Sequence, residues 1–133
     1  MTDLVFLYGT LMSAFQPPGR TRLDSVLRPV GRGWINAVLF DLGIYPAAIP
    51  ASDSRVRGEV HRMADAESVL SALDEIEGYS EREPDASLYT RKQIQVTFDN
   101  GASAPAWVYF YNAPLGGAQR IDSGDYLEHL RVR

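Results

Sequence analysis

The sequence predicts an α+β fold in a single domain spanning residues 1–133. Three observations carry this expectation. At least five stretches have strand patterning, only two short stretches have helical patterning, and there is no regular strand-helix alternation of the kind that builds a doubly wound sheet. Composition agrees: the chain is 45% hydrophobic and 23% charged, ordinary values for a globular domain. A chain of this length buries roughly two-thirds of its unfolded surface without covalent or metal support. It contains no cysteine, which excludes a disulfide scaffold and thiol catalysis.

LVFLY (4–8) is a short apolar run closed by Gly9 and reads as a buried first strand. QPPGRTRLDSVLRPVGRG (16–33) reads as an extended loop from its prolines and glycines. Its Arg20, Arg22, Arg28 and Arg32 read as solvated charges, because no aromatic residues interleave with them to stack on bases. With a net charge of -4, the expectation is no nucleic-acid partner. GWINAVLFDL (33–42) is β-rich, and RVRGEVHRM (55–63) alternates Val56, Gly58 and Val60 with Arg55, Arg57 and Glu59. Glu59 and His61 share a strand face and would make half a metal site, but no second pair at ligand spacing accompanies them. They read as a surface-exposed face, and no metal or cofactor is expected.

Residues 88–112 hold two strands joined at Asp99-Asn100-Gly101, which tolerates the positive φ of a tight hairpin. Ile94, Val96 and Phe98 mark one face of the first strand. The second, with Trp107, Tyr109 and Tyr111 alternating with Ala106, Val108 and Phe110, is large on both faces, as suits a central strand or one lining a cavity. One helix is predicted from an Asp65 N-cap to Glu77, with Gly78 as a left-handed stop. A second, short one is predicted with Ser123 capping GDYLEHL and with Leu127 and Leu130 on one face. PLGGAQR (114–120) lacks the lysine and setting of a phosphate loop, and there is no G-x-S-x-G elbow. The N-terminus has neither a basic region nor a long apolar run, so the expectation is a cytoplasmic protein with no membrane contact. Nothing in the pattern specifies an oligomeric state.

The first helix ends in LDEIEGY (73–79), where three carboxylates crowd an apolar pattern. Counting about 100° per residue from Val69, Leu73 falls at about 40°, Ile76 at about -20° and Leu70 at about 100°. Glu77 falls at about 80°, inside that apolar arc, whereas Asp74 lies at its margin and Glu75 faces water. Desolvation, the negative end of the helix dipole and Asp74 one turn back all push the Glu77 pKa up, toward values at which a carboxyl group accepts and returns a proton near neutral pH. The bland alternative is a Glu that bends into solvent at a fraying helix end.

Four pieces occur in order: FLYGTLM (6–12) at the end of the first strand, a helix ending in E-G-Y, Leu88-Tyr89-Thr90-Arg91 opening a strand, and Ser123-Gly124-Asp125-Tyr126. In this order they resemble the γ-glutamyl cyclotransferase-like family, which takes in γ-glutamylcyclotransferase, γ-glutamylamine cyclotransferase and AIG2-like proteins. The resemblance spans nearly the whole chain, loosely at 16–33 and 80–87. It implies a compact mixed β-barrel of about five to seven strands with short flanking helices, and a cavity over the end of the first strand. Tyr8, Gly9, Thr10 and Leu11 match the family's substrate-binding loop, and Glu77 matches its catalytic glutamate. Tyr89 and Tyr109 are candidate cavity walls, or ordinary strand residues.

The activity so implied is attack by the α-amine of a γ-glutamyl compound on its own side-chain amide, releasing 5-oxoproline and an amine or amino acid. Glu77 would be base and then acid, without metal or cofactor. Backbone N–H groups of the Gly9–Leu11 turn would hold the substrate bend or support the oxyanion. The rival expectation is a binding module of the same fold that turns nothing over.

Overall fold

The computed structural model describes residues 2–9, 12 and 25–131. Among these residues six strands, β1 (Leu4–Leu7), β2 (Leu27–Asp41), β3 (Pro46–Met63), β4 (Tyr89–Phe98), β5 (Ser103–Tyr111) and β6 (Gln119–Arg120), accompany two α-helices, α1 (Ala66–Glu77) and α2 (Tyr126–Arg131), and a short 3-10 helix, Pro84–Ala86. The sheet runs in the order β3-β1-β5-β4-β2 and closes because β2 also pairs with β3, giving a five-stranded barrel with β6 added to the end of β2. Among the described strands only β1 and β5 pair in parallel, at Val5 and Trp107; the other pairings are antiparallel. The barrel is therefore mixed, and closure removes the open edges that a five-stranded sheet would expose.

Side chains alternating into the barrel form the core: Phe6, Ile35, Val56, Val60, Val96 and Val108 are all 1% exposed or less. The inward position between Val56 and Val60 belongs to Gly58, where a Cβ would stand 2.4 Å from the Leu7 carbonyl oxygen and 2.6 Å from the Phe6 ring. That close approach lets β1 reach the barrel wall, and β1 delivers Tyr8 and Gly9 to the cavity described below. No helix among the described residues is long and apolar enough to cross a membrane.

Several boundaries differ from the sequence expectations. β2 starts at Leu27, so Arg28 and Arg32 stand on a strand and not in a loop; Arg20 and Arg22 lie outside the described residues. β3 starts at Pro46 and not near residue 55, because the partner of β2 jumps from Arg55 to Pro50. The polar stretch Ala51–Ser54 is thus left out of register and hides the continuity of the strand. Glu59 and His61 do not form a surface face: the His61 side chain is 2% exposed and Glu59 12%, with Nε2 3.0 Å from Oε1. A strand with neighbours on both sides need not leave either face to solvent.

At the β4–β5 hairpin only Gly101 takes a positive φ, of 91°, with its N–H bonded to the Phe98 carbonyl. The Asn100 side chain accepts from the Ala102 N–H. This is a three-residue loop and not the two-residue form. In α1, Gly78 is the left-handed stop at φ 70°, with the Tyr79 N–H bonded to the Asp74 carbonyl at 2.9 Å. Asp65 occupies the N-cap position, but its carboxylate accepts from the Ser68 hydroxyl and not from a backbone N–H. In α2 the Glu128 N–H bonds the Asp125 carboxylate, so Asp125 caps it. Ser123 is displaced from that role because Gly124, at φ 67°, turns the chain between them.

Candidate active site

A cavity of about 160 Å³ opens where β1 ends and α1 stops, and its lining includes Tyr8, Gly9, Pro46, Glu77, Tyr89 and Tyr109. Of the residues singled out from sequence, Glu77, Tyr8, Gly9, Tyr89 and Tyr109 thus meet around one space. Thr10 and Leu11 lie outside the described residues. Sequence reasoning missed Tyr45 and Pro46. Tyr45 closes the Asp41–Tyr45 turn and Pro46 follows it; in that turn the Leu42 N–H bonds the Tyr45 carbonyl and Gly43 takes φ 100°, and the D-x-G spacing was the signal available. Pro46 explains the glycine after β1, since a Cβ on Gly9 would stand 2.9 Å from the Pro46 Cγ.

Glu77 reaches the cavity because the Schellman turn at Gly78 holds the helix to its last residue, so the end does not fray into water. No described residue hydrogen-bonds or ion-pairs with its carboxylate. Burial raises its pKa from 4.5 to about 7, as desolvation of an uncompensated carboxylate should. Burial is the cause that acts here, and the like-charge push expected from Asp74 does not add to it. Asp74 is tied elsewhere: its Oδ1 accepts from the Tyr109 hydroxyl at 2.6 Å and lies 3.0 Å from Arg91 Nε. Burial still raises the Asp74 pKa, with the Tyr109 bond and Arg91 pulling the other way.

Three of the four lining tyrosines share one property. Tyr8 donates to the carbonyl of Tyr109, Tyr89 to that of Pro46 at 2.9 Å, and Tyr109 to Asp74. Each has committed its single hydrogen to the protein, so toward a ligand each phenolic oxygen only accepts. Burial pushes all three pKa values above the ordinary phenol range, and the charge of Glu77 adds to this. They stay protonated at neutral pH. Among the described lining residues Glu77 is the only carboxyl group, and it is the one poised to exchange a proton there. No group of three or more potential metal ligands occurs among the described residues.

Arg91, 8% exposed in its side chain, sits between Asp74 and Glu81, with its guanidinium 4.8 Å from the Trp107 ring centroid. This arrangement ties the helix that carries Glu77 to β4 and β5. Tyr109→Phe should cost about 1–2 kcal/mol, because Asp74 loses a directed donor while remaining partly buried. Urea titration measures it, and an unchanged midpoint would show that the bond contributes nothing.

The family model described as Gamma-glutamyl cyclotransferase, AIG2-like matches residues 5–128. The Escherichia coli (strain K12) γ-glutamylcyclotransferase family protein YtfP is 34% identical over 93 residues, 70% of each chain. The solution structure of Escherichia coli ytfP superposes with a TM-score of 0.68 over 95% of this chain and 97% of that one, at 31% identity. Bacillus subtilis YkqA superposes with a TM-score of 0.73 over 99% of this chain, which spans only 42% of that longer protein, at 24% identity. An AIG2-like protein of Mus musculus gives 0.68 at 23% identity, over 93% of this chain and 87% of that one. These last two show a shared fold. The barrel, the order of its motifs and the match across nearly the whole chain together lead to one assignment: the chain belongs to the γ-glutamyl cyclotransferase, AIG2-like family.

Proposed function

We propose that the protein is a γ-glutamyl cyclotransferase, releasing 5-oxoproline and an amine or amino acid from a γ-glutamyl compound. The observation that carries this reading is a partly buried, unpartnered carboxylate with a pKa of about 7, facing a cavity in which three of the four lining phenols can only accept hydrogen bonds. Such a surface suits the α-ammonium of a γ-glutamyl unit. Glu77 takes a proton from it, and the freed amine attacks the side-chain amide carbon. The new N–C bond closes a five-membered ring as the old amide C–N bond breaks. Of the two protons the attacking nitrogen sheds on becoming a lactam N–H, one reaches the departing nitrogen through Glu77. The other goes to solvent or to the free amine. A group with a pKa near the working pH serves both directions of that transfer.

Tyr8, Gly9, Thr10 and Leu11 are proposed to hold the substrate, with backbone donors at its bend or at the oxyanion. Intramolecular attack gains rate from such positioning alone. Because the chemistry is proton transfer and positioning, activity is expected to be unchanged by a chelator; loss with a chelator and recovery with one divalent ion would contradict this mechanism. The test of function is a panel of γ-glutamyl amino acids and γ-glutamyl amines incubated with the purified protein and assayed for 5-oxoproline. A compound that raises the melting temperature without yielding product would favour a binding module.

A further inference from the structure

Two large apolar side chains are exposed at the rim of this cavity. Ile76 is 52% exposed although the helical pattern places it with Val69 and Leu73, and Leu88 is 39% exposed; both line the cavity mouth. Their placement is built in. The Leu88 N–H donates to the Gly78 carbonyl at 3.1 Å and the Leu88 carbonyl accepts from the Asn112 N–H at 2.8 Å, so both backbone groups of Leu88 are tied. The first of these bonds joins the end of α1 to the start of β4, and sets Leu88 beside the helix end that carries Ile76 and Glu77. Two of the four exposed large hydrophobic residues among those described, Ile76 and Leu88, therefore line this one opening together, as a patch and not as isolated surface residues.

Size says what must lie there. A cavity of about 150 Å³ holds a molecule the size of benzene, and this one measures about 160 Å³. A γ-glutamyl unit is already larger than benzene and fills it, so the substituent on the departing nitrogen emerges over the rim. The described lining offers that substituent no cation, and its one charge is the Glu77 carboxylate. We infer that Ile76 and Leu88 are specificity-determining residues which select γ-glutamyl compounds whose amine portion begins with an uncharged apolar chain or ring. This rests on the proposed cyclotransferase reading and names the leaving-group class it would take.

The experiment uses a homologous series of γ-glutamyl n-alkylamides, from methyl to pentyl, with a pentyl chain ending in a carboxylate as contrast. Binding to Glu77→Gln protein is measured by calorimetry, and kcat/KM on wild type by 5-oxoproline release. Each methylene laid on the rim should tighten binding about twofold to fourfold. The carboxylate-ended chain should lose most of that gain. Leu88→Ser and Ile76→Ser, both at exposed positions, should flatten the series, so that the pentyl-to-methyl ratio in binding and in kcat/KM falls toward one. A steep series in binding without 5-oxoproline release would sustain the rim and sink the catalytic reading. Turnover with a flat series, or a carboxylate-ended chain that binds as well as pentyl, would overturn the rim and leave catalysis standing. No measurable binding by any member would overturn both.

Discussion

Glu77→Gln is expected to abolish 5-oxoproline release while leaving the protein as stable as wild type, or more so, near neutral pH. Glutamine keeps the shape of glutamate but exchanges no proton, so the base and acid roles disappear together. The stability effect follows from linkage. The folded-state pKa is raised from 4.5 to about 7, so the folded state binds the proton more tightly than the unfolded chain does. The stability this contributes is fully present below about 4.5 and is lost as pH rises from there through 7. Above 7 the ionised, desolvated carboxylate costs up to about 3 kcal/mol, an upper limit because it faces an open cavity. A neutral amide avoids that cost, and the mutant's advantage should shrink toward zero at pH 4. Denaturation midpoints of both proteins between pH 4 and pH 8, with a turnover assay alongside, measure both effects. A mutant that still turns over, or one less stable at pH 7 than wild type with the deficit shrinking in acid, would return Glu77 to the role of an ordinary helix-end residue.

Gly58→Ala is expected to be the most damaging single-methyl change in the barrel wall. The added Cβ would sit 2.4 Å from the Leu7 carbonyl oxygen, a backbone atom, and 2.6 Å from the Phe6 ring. Neither is the free end of a flexible chain, so β1 must move away from β3. Overpacking of this kind costs about 3 kcal/mol, which for a domain of this size lowers the melting temperature by about 10 °C. Phe6 and Leu7 also line the cavity, so substrate affinity should fall in the protein that remains folded. By contrast Gly117→Ala, where a Cβ meets nothing within 4 Å, should be nearly neutral. Scanning calorimetry on the two variants makes the comparison, and equal melting temperatures would mean that the approach of β1 to Gly58 is not as close as described.

Where the sequence was legible, local chemistry was sufficient. Gly78 after an amphipathic run marks a helix end because only a residue tolerant of positive φ closes that turn cheaply. Asp99-Asn100-Gly101 marks a hairpin for the same reason. Val56, Gly58 and Val60 alternate because one strand face must avoid water. Where it was not legible, partners distant in sequence decided. β3 hides its first half because Ala51–Ser54 breaks the alternation, and only pairing with β2 restores the strand. Helix spacing alone sets Asp74 to press on Glu77, yet Tyr109 and Arg91, 35 and 17 residues away, take up its charge.

By itself the sequence determined the α+β class, the helix that ends at Glu77, and the buried side on which that carboxylate falls, since these follow from periodicity and turn chemistry within a few residues. Only the tertiary structure decided that β1, β3, β4, β5 and the end of α1 enclose one cavity, that three phenols turn their hydrogens away from it, and that Ile76 and Leu88 stand open at its rim. The physical reason is that burial belongs to a place and not to a residue. A carboxylate's pKa, a phenol's hydrogen-bond partner and a leucine's exposure are set by whatever the closed barrel brings beside them, and a local pattern does not contain that neighbour.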